Sequence, residues 1–352
     1  MPTIYQKESL EAILGLLLEA TGISRASNCP IKSPSATSRF LNKYKWPTRK
    51  LIIIFRKWML QQILSYSKKG RRPHLQVIID LTTLEKRGKF KNFDGAICTY
   101  NKRRGLHLVV LYLVVGKVRI PWNFRVYRGK GTISPADLAR RLLCSLPKIL
   151  KRAFNIMVLG DSAFSSIAFL KTVKKLKINA VVGIRNNRSL SDARKIKDLH
   201  KGGQQIYLKD LPFPVSVAHY YFKKDDGKYL KRHVISTKQL KPSTLVWWGK
   251  RRWQIEGFFK TIKHRFSLDC FGQETKLGVY RWLILSFISF ILAYWSFGLE
   301  RATETQLNWT IAARKTLERL FSSVLLNILL QDIERLEPIA VQHGIFVQIK
   351  SC

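Results

Sequence analysis

The chain is short of acids. Its 352 residues hold 22 Asp plus Glu against 63 Lys plus Arg, a formal net charge of +41. A folded chain at that charge repels itself unless a partner neutralises it. Nucleic-acid phosphate does so while releasing counterions at each contact. The basic residues run along the whole length and form no single amphipathic stripe, which favours nucleic acid over an anionic membrane surface. Cysteine is sparse as well: Cys29, Cys98, Cys144, Cys270 and Cys352 are odd in number and have no paired spacing. That excludes a disulfide framework and a zinc knuckle, and points to a reducing compartment. The seven His form no ligand cluster. The opening stretch "MPTIYQKESLEAILGLLLEATG" lacks a basic leader and a small-residue cleavage site, so no signal peptide is expected. "WLILSFISFILAYWSFGL", Trp282 to Leu299, is long enough to span a membrane, but three serines dilute it. A helix buried on all sides is the expectation for it.

What is present falls into zones. Residues 1 to about 70 read as helical, with one helix from Glu8 to Ala20. A Pro- and Ser-rich break, "NCPIKSPSATS", precedes a short helix near Arg39 to Lys45 and a longer one beginning at Thr48. The turn at Trp46-Pro47 followed by a basic helix is compatible with a helix-turn-helix DNA reader. From Leu75 the period changes. "LQVIID" and "NIMVLGD" are short apolar runs that each end in an acid, as strands buried on both faces do. Between them lie strand-like "GAICTY", "LHLVVLYLVV" and "VRIPWNFRVY", the last two joined like a hairpin at Gly116-Lys117. The helix "SPADLARRLLCSLPKIL" follows, with Ser134 as cap and Pro135 in its first turn. Between about residues 186 and 247, "GGQQIYLKDL", "PVSVAHYYFK" and "YLKRHVIST" read as strands of an inserted β region.

Immediately after that insertion, "KRRWQIEGFFKTIKHRF" sets one carboxylate, Glu256, among six Lys and Arg. On a helical wheel Ile255, Phe258, Phe259, Ile262 and Phe266 share one face, and Arg252, Glu256, Lys260 and Lys263 the next. A surface ion pair with Arg252 explains Glu256 by itself. Asp80 and Asp161 change that weighing, because each is expected at the carboxyl end of a buried strand, above the sheet edge. Neighbouring strands would bring the two together, and carboxylates that close need a cation to stay ionised. Hard divalent ions suit them, and two such ions clamp the attacking and leaving oxygens of a phosphodiester displacement. Other acids fit bland roles: Glu85 in a charged run, Asp94 in a turn, and Asp137 in the first turn of a helix.

The order of strands and acids resembles the RNase H-like fold, an α/β class with a mixed sheet flanked by helices. Within it the chain is similar to the DDE transposases of bacterial insertion sequences, in the branch with a β insertion before the catalytic Glu. That family's helix signature is Tyr, two residues, Arg, three residues, Glu, six residues, Lys. Arg252, Glu256 and Lys263 keep these spacings, while Gly249 stands at the Tyr place, with Trp248 or Tyr220 as substitutes. "IIDLTTLEK", with Thr82 and Thr83, and "VLGDSAFSS" are similar to the family's two Asp motifs.

The resemblance implies that Asp80, Asp161 and Glu256 are catalytic and hold two Mg²⁺ or Mn²⁺ ions. It implies that Arg252, Lys263 and Lys260 contact DNA phosphates, and that Trp253 stacks on DNA beside the cut. One of Tyr220, Tyr221, Phe222 or Tyr229 would stack on a flipped base. The implied partners are transposon ends and target DNA, with a homodimer in the synaptic complex, no membrane, and a cytoplasmic, nucleoid-associated location. The resemblance covers roughly Leu75 to Leu299; the expected organisation is a helical DNA-binding region over 1–70, a catalytic domain over 71–300 with the β insertion at about 186–247, and a C-terminal helical region over 301–352. Two other readings stay open: an RNase H-like nuclease or junction resolvase that stops at cutting, and a catalytically decayed DNA-binding copy.

Overall fold

The computed structural model describes residues 1–19, 24–68, 70–87, 93, 95–223, 227–273, 275–298, 308–346 and 348. Asp94 and Cys352 lie outside them. The chain begins with helices α1 (Ile4–Glu19), α2 (Pro34–Asn42) and α3 (Thr48–Leu64). Strands β1 (His74–Glu85), β2 (Ile97–Tyr100), β3 (Arg103–Val115) and β4 (Val118–Tyr127) follow, then α4 (Pro135–Cys144) and α5 (Lys148–Ala153). Next come β5 (Asn155–Gly160), α6 (Ile167–Lys175), β6 (Asn179–Ile184), β7 (Gln205–Ile206), β8 (Val215–Lys223) and β9 (Tyr229–Ser236). The order closes with α7 (Pro242–Arg251), α8 (Gln254–Phe266), α9 (Lys276–Gly298), α10 (Trp309–Leu320) and α11 (Ser322–Gln342).

These elements make two compact units, residues 56–259 and residues 1–55 with 260–352. The first is built on one mixed sheet, in the order β2-β3-β1-β5-β6-β9-β8-β7, with β4 also beside β3. β1 is antiparallel to β3 and parallel to β5, and β5 is parallel to β6. This is the expected α/β, RNase H-like arrangement. Its central strands read as unbroken apolar runs because both faces are covered: Val77, Ile78, Ile79, Val158 and Leu159 are fully buried. α4 and α6 pack against the sheet and each other, and each starts on a serine cap, Ser134 and Ser166. The inserted β region is no separate layer. β9 pairs antiparallel with β6 and carries β8 and β7 along, so the insertion lengthens the sheet.

Several local expectations change. β1 runs on past Asp80 to Glu85, because Leu81 to Glu85 keep pairing with β3 after β5 has ended. "SPSATS" starts a helix: Ser33 accepts from the Ala36 N–H and Pro34 fills the first turn. Of "GGQQIYLKDL" only Gln205–Ile206 is strand. The segment around Glu256 is two helices, because Arg252, Trp253, Ile255 and Glu256 each donate to the carbonyl three residues back. That tighter winding ends α7 and restarts the chain as α8.

The second unit is helical among its described residues. α9 packs on α1, α2 and α10, and α1 also meets α11. α9 passes by length and composition as a membrane span, yet 72% of its most apolar window is buried within the protein. Arg281 on α9 is 3% exposed. It donates to the carbonyls of Phe40, Leu41 and Tyr44 and to the Thr48 hydroxyl, and lies 4.3 Å over the Trp46 ring. The α2–α3 turn is pinned by these bonds.

Candidate active site

Asp80 follows Ile79, whose parallel partner on β5 is Gly160, and Asp161 follows Gly160. The register alone therefore sets the two acids side by side where β5 ends. The Asp161–Ser162 backbone lies so close to β6 that a Cβ on Gly183 would come within 3.0 Å of the Ser162 nitrogen. A residue without a side chain is what permits that approach. Asp161 Oδ1 accepts from the Ala163 N–H at 2.9 Å and caps a short helical turn, Ser162–Phe164. Its second oxygen accepts no hydrogen bond among the described residues. Asp80 Oδ1 takes the Leu81 N–H at 2.8 Å.

Arg252, in the break between α7 and α8, joins the acids. Its Nη1 donates to Asp80 Oδ2 at 2.6 Å and its Nη2 to Glu256 Oε1 at 3.0 Å. The side chains of Arg252 and Asp80 are 15% and 13% exposed, and that of Glu256 42%. The expected cap at Asp161 and ion pair at Glu256 are thus both present, and both sit inside one charged constellation. Burial pushes Asp80 up to about 7 in spite of Arg252, and the charges of Asp161 and Glu256 push it further the same way. Burial also raises Asp161, against the Ala163 N–H and the charges of Arg252 and Arg185.

Two half-buried carboxyls side by side, raised by burial in spite of the one guanidinium they share and offering only oxygen donors, fit a hard divalent cation. Among the described residues no group of three or more His, Cys, Asp or Glu is gathered to hold one. Glu256 reaches Asp80 through Arg252, so direct ligation by Glu256 requires Arg252 to release it.

A cleft of about 550 Å³ opens beside these groups, lined among others by Asp161, Arg252, Trp253, Tyr220, Arg232 and His233. Trp253 is 44% exposed, with the Arg252 guanidinium 5.1 Å from its ring. Of the four aromatic candidates in the insertion, Tyr220 lines this cleft. Tyr221 and Tyr229 are well exposed, and Phe222 lies under Arg232 at 4.8 Å. Gly249 also borders the cleft. Trp248 is buried against His74, which removes it as a stand-in for a side chain at that place.

Lys260 is exposed and Lys263 half-buried on α8, one and two turns beyond Glu256 on its face. Three groups at the cleft escaped the sequence reading. Arg185 stands directly after buried β6 and lowers Asp161 by its charge, and the rule that selected Asp161 would have found it. Arg232 and His233 come from β9, and only its pairing with β6 reveals them. His233 donates its Nδ1–H to Asn186 Oδ1 at 2.9 Å, and burial, then Lys231, hold it down to about 4.

The family described as "Transposase DDE domain" matches residues 71–292 of the chain. Among solved structures, the piggyBac transposase synaptic complex with hairpin DNA aligns over 98% of this chain and 77% of that one, at 14% identity and a TM-score of 0.53. That likeness concerns the fold. The Mos1 strand transfer complex aligns over 42% of this chain and 49% of that one, at 16% identity and a TM-score of 0.20, too low to carry weight. No curated protein matches the sequence.

Proposed function

This chain belongs to the transposase DDE domain family, and from that premise we propose that Asp80, Asp161 and Glu256 form its catalytic set, in the bacterial insertion-sequence branch. The chain would cut DNA at the ends of its own element and join the freed 3′-hydroxyls to target DNA. One observation supports the reading: strand register makes Asp80 and Asp161 neighbours, and Arg252 ties Glu256 to Asp80. Two Mg²⁺ or Mn²⁺ ions held by these carboxylates would supply the Lewis acidity for in-line displacement at phosphorus.

The other steps belong to the chain's own groups. Arg252 balances Asp80 and Glu256 while no cation does, and offers its remaining N–H groups to a phosphate. Lys260 and Lys263 hold further phosphates of the end. Trp253 supplies a flat, exposed face for stacking, and Tyr220 a second one across the cleft. The exposed face of α3, with Arg49, Lys50 and Lys57, gives the helical N-terminal region its DNA contact. Two ends cut in concert call for a dimer, working at the nucleoid.

Purified protein with Mg²⁺ and DNA bearing the element's ends should cut at those ends and join them to added target. Asp80→Asn, Asp161→Asn and Glu256→Gln should each bind ends and leave them uncut. A variant that cuts at the wild-type rate removes its residue from the set. Cutting with no joining in the presence of target would identify a nuclease instead.

A further inference from the structure

A second cleft, of about 440 Å³, adjoins the catalytic one and shares Ser162, Arg185 and Asn187 with it. Its other wall carries Ser165, Ser166, Arg188 and Lys209. The two recesses differ in chemistry. The catalytic cleft has aromatic rings, Tyr220 and Trp253, whereas the second is lined by hydroxyls, an amide and cations, with no ring. Among the described residues Arg185, Arg188 and Lys209 form no salt bridge, and Asp210 is the one carboxylate in this lining. Unpaired cations interleaved with hydroxyls grip a sugar-phosphate backbone and read no base, since phosphate contacts position DNA and base contacts specify it.

We propose that this second cleft holds the DNA strand that is attacked in the joining step, while the ring-lined cleft holds the element's end. The proposal rests on the transposase reading above. Joining needs two polynucleotides at one pair of acids, and the two clefts meet at the Asp161–Ser162 turn. The end's 3′-oxygen gives up its proton and bonds to the target phosphorus. The target's own P–O3′ bond breaks, and the departing oxygen takes up a proton. One phosphodiester replaces another, with no further reactant. A lining without rings suits a target taken without regard to sequence.

The test is the full-length double variant Arg188→Ala, Lys209→Ala, with Lys175→Ala as a control for the loss of charge elsewhere. With Mg²⁺ and end DNA, cutting should stay within about threefold of wild type. Joining to a plasmid should fall roughly tenfold and recover at low salt, and the log–log salt slope for a duplex without end sequences should drop by about 1 per lost contact. Fluorescence anisotropy with that duplex decides the matter even if the wild type joins nothing, an outcome that would count against the transposase reading alone. Equal loss of cutting and joining, a drop no larger than that of Lys175→Ala, or unchanged binding of the duplex would each overturn the assignment.

Discussion

Two arginines are largely withdrawn from water, one in each unit, and their partners differ in kind. Arg281 faces backbone carbonyls of Phe40, Leu41 and Tyr44, with the Thr48 hydroxyl and the Trp46 ring. Those oxygens cannot leave or titrate, so the guanidinium fixes a turn and burial holds it down to about 10. Arg252 faces two carboxylates at the rim of a cleft. Its partners can take a proton or another cation, so the same side chain becomes an exchangeable counterion. A buried charge with backbone partners serves the fold, and one with acidic partners beside a cleft serves chemistry.

The comparison can be broken from either side. The largest effect should come from Asp161→Asn, which lowers cutting about a thousandfold or more without loss of helix or sheet signal by circular dichroism. Arg281→Met should be the mirror image. Several carbonyls lose their donor, and thermal or urea unfolding should show a loss of about 3 kcal/mol or more. Arg252→Met should cost less stability than Arg281→Met and more activity. A reversed ranking would dissolve the distinction.

A subtler effect concerns pH. The folded value of Asp80, about 7, lies above its usual 3.8. In the interval between, the unfolded chain has already lost the proton that the folded chain keeps. Folding stability from this group therefore falls as pH rises through that window and levels off above about 7. Asp80→Asn should remove the slope, so its stability advantage over wild type should grow from about pH 5 to pH 8 in urea titrations. A constant difference would show that Asp80 ionises normally. The smallest effect is expected at Gly249, in α7, where an added Cβ meets Val234 at an ordinary 3.5 Å. Gly249→Ala should stabilise by about 0.5–1 kcal/mol, and destabilisation would show that the cleft wall there cannot accept a side chain.

Much of this was legible in the sequence. "LQVIID" and "NIMVLGD" announced two buried strands with acids, since a strand covered on both faces leaves no other pattern. The hairpin at Gly116-Lys117 and the Ser134 cap were equally plain, because local chemistry sets both. The pairing register was not, and it decides that Asp80 sits within β1 beside Asp161. The docking of β9 on β6 joins residues some fifty apart in the chain, beyond the reach of any local signal. The break at Arg252 has no Pro or Gly at the break itself, so a continuous helix was the natural expectation. Arg188 and Lys209 were hidden by the number of other basic residues.

The most direct measurement is a Mn²⁺ titration of the full-length protein bound to a DNA end, followed by electron paramagnetic resonance. The wild type should take up the ion, and Asp80→Asn and Asp161→Asn should each lose most of that uptake while the DNA stays bound. Equal uptake by all three proteins would contradict the catalytic set.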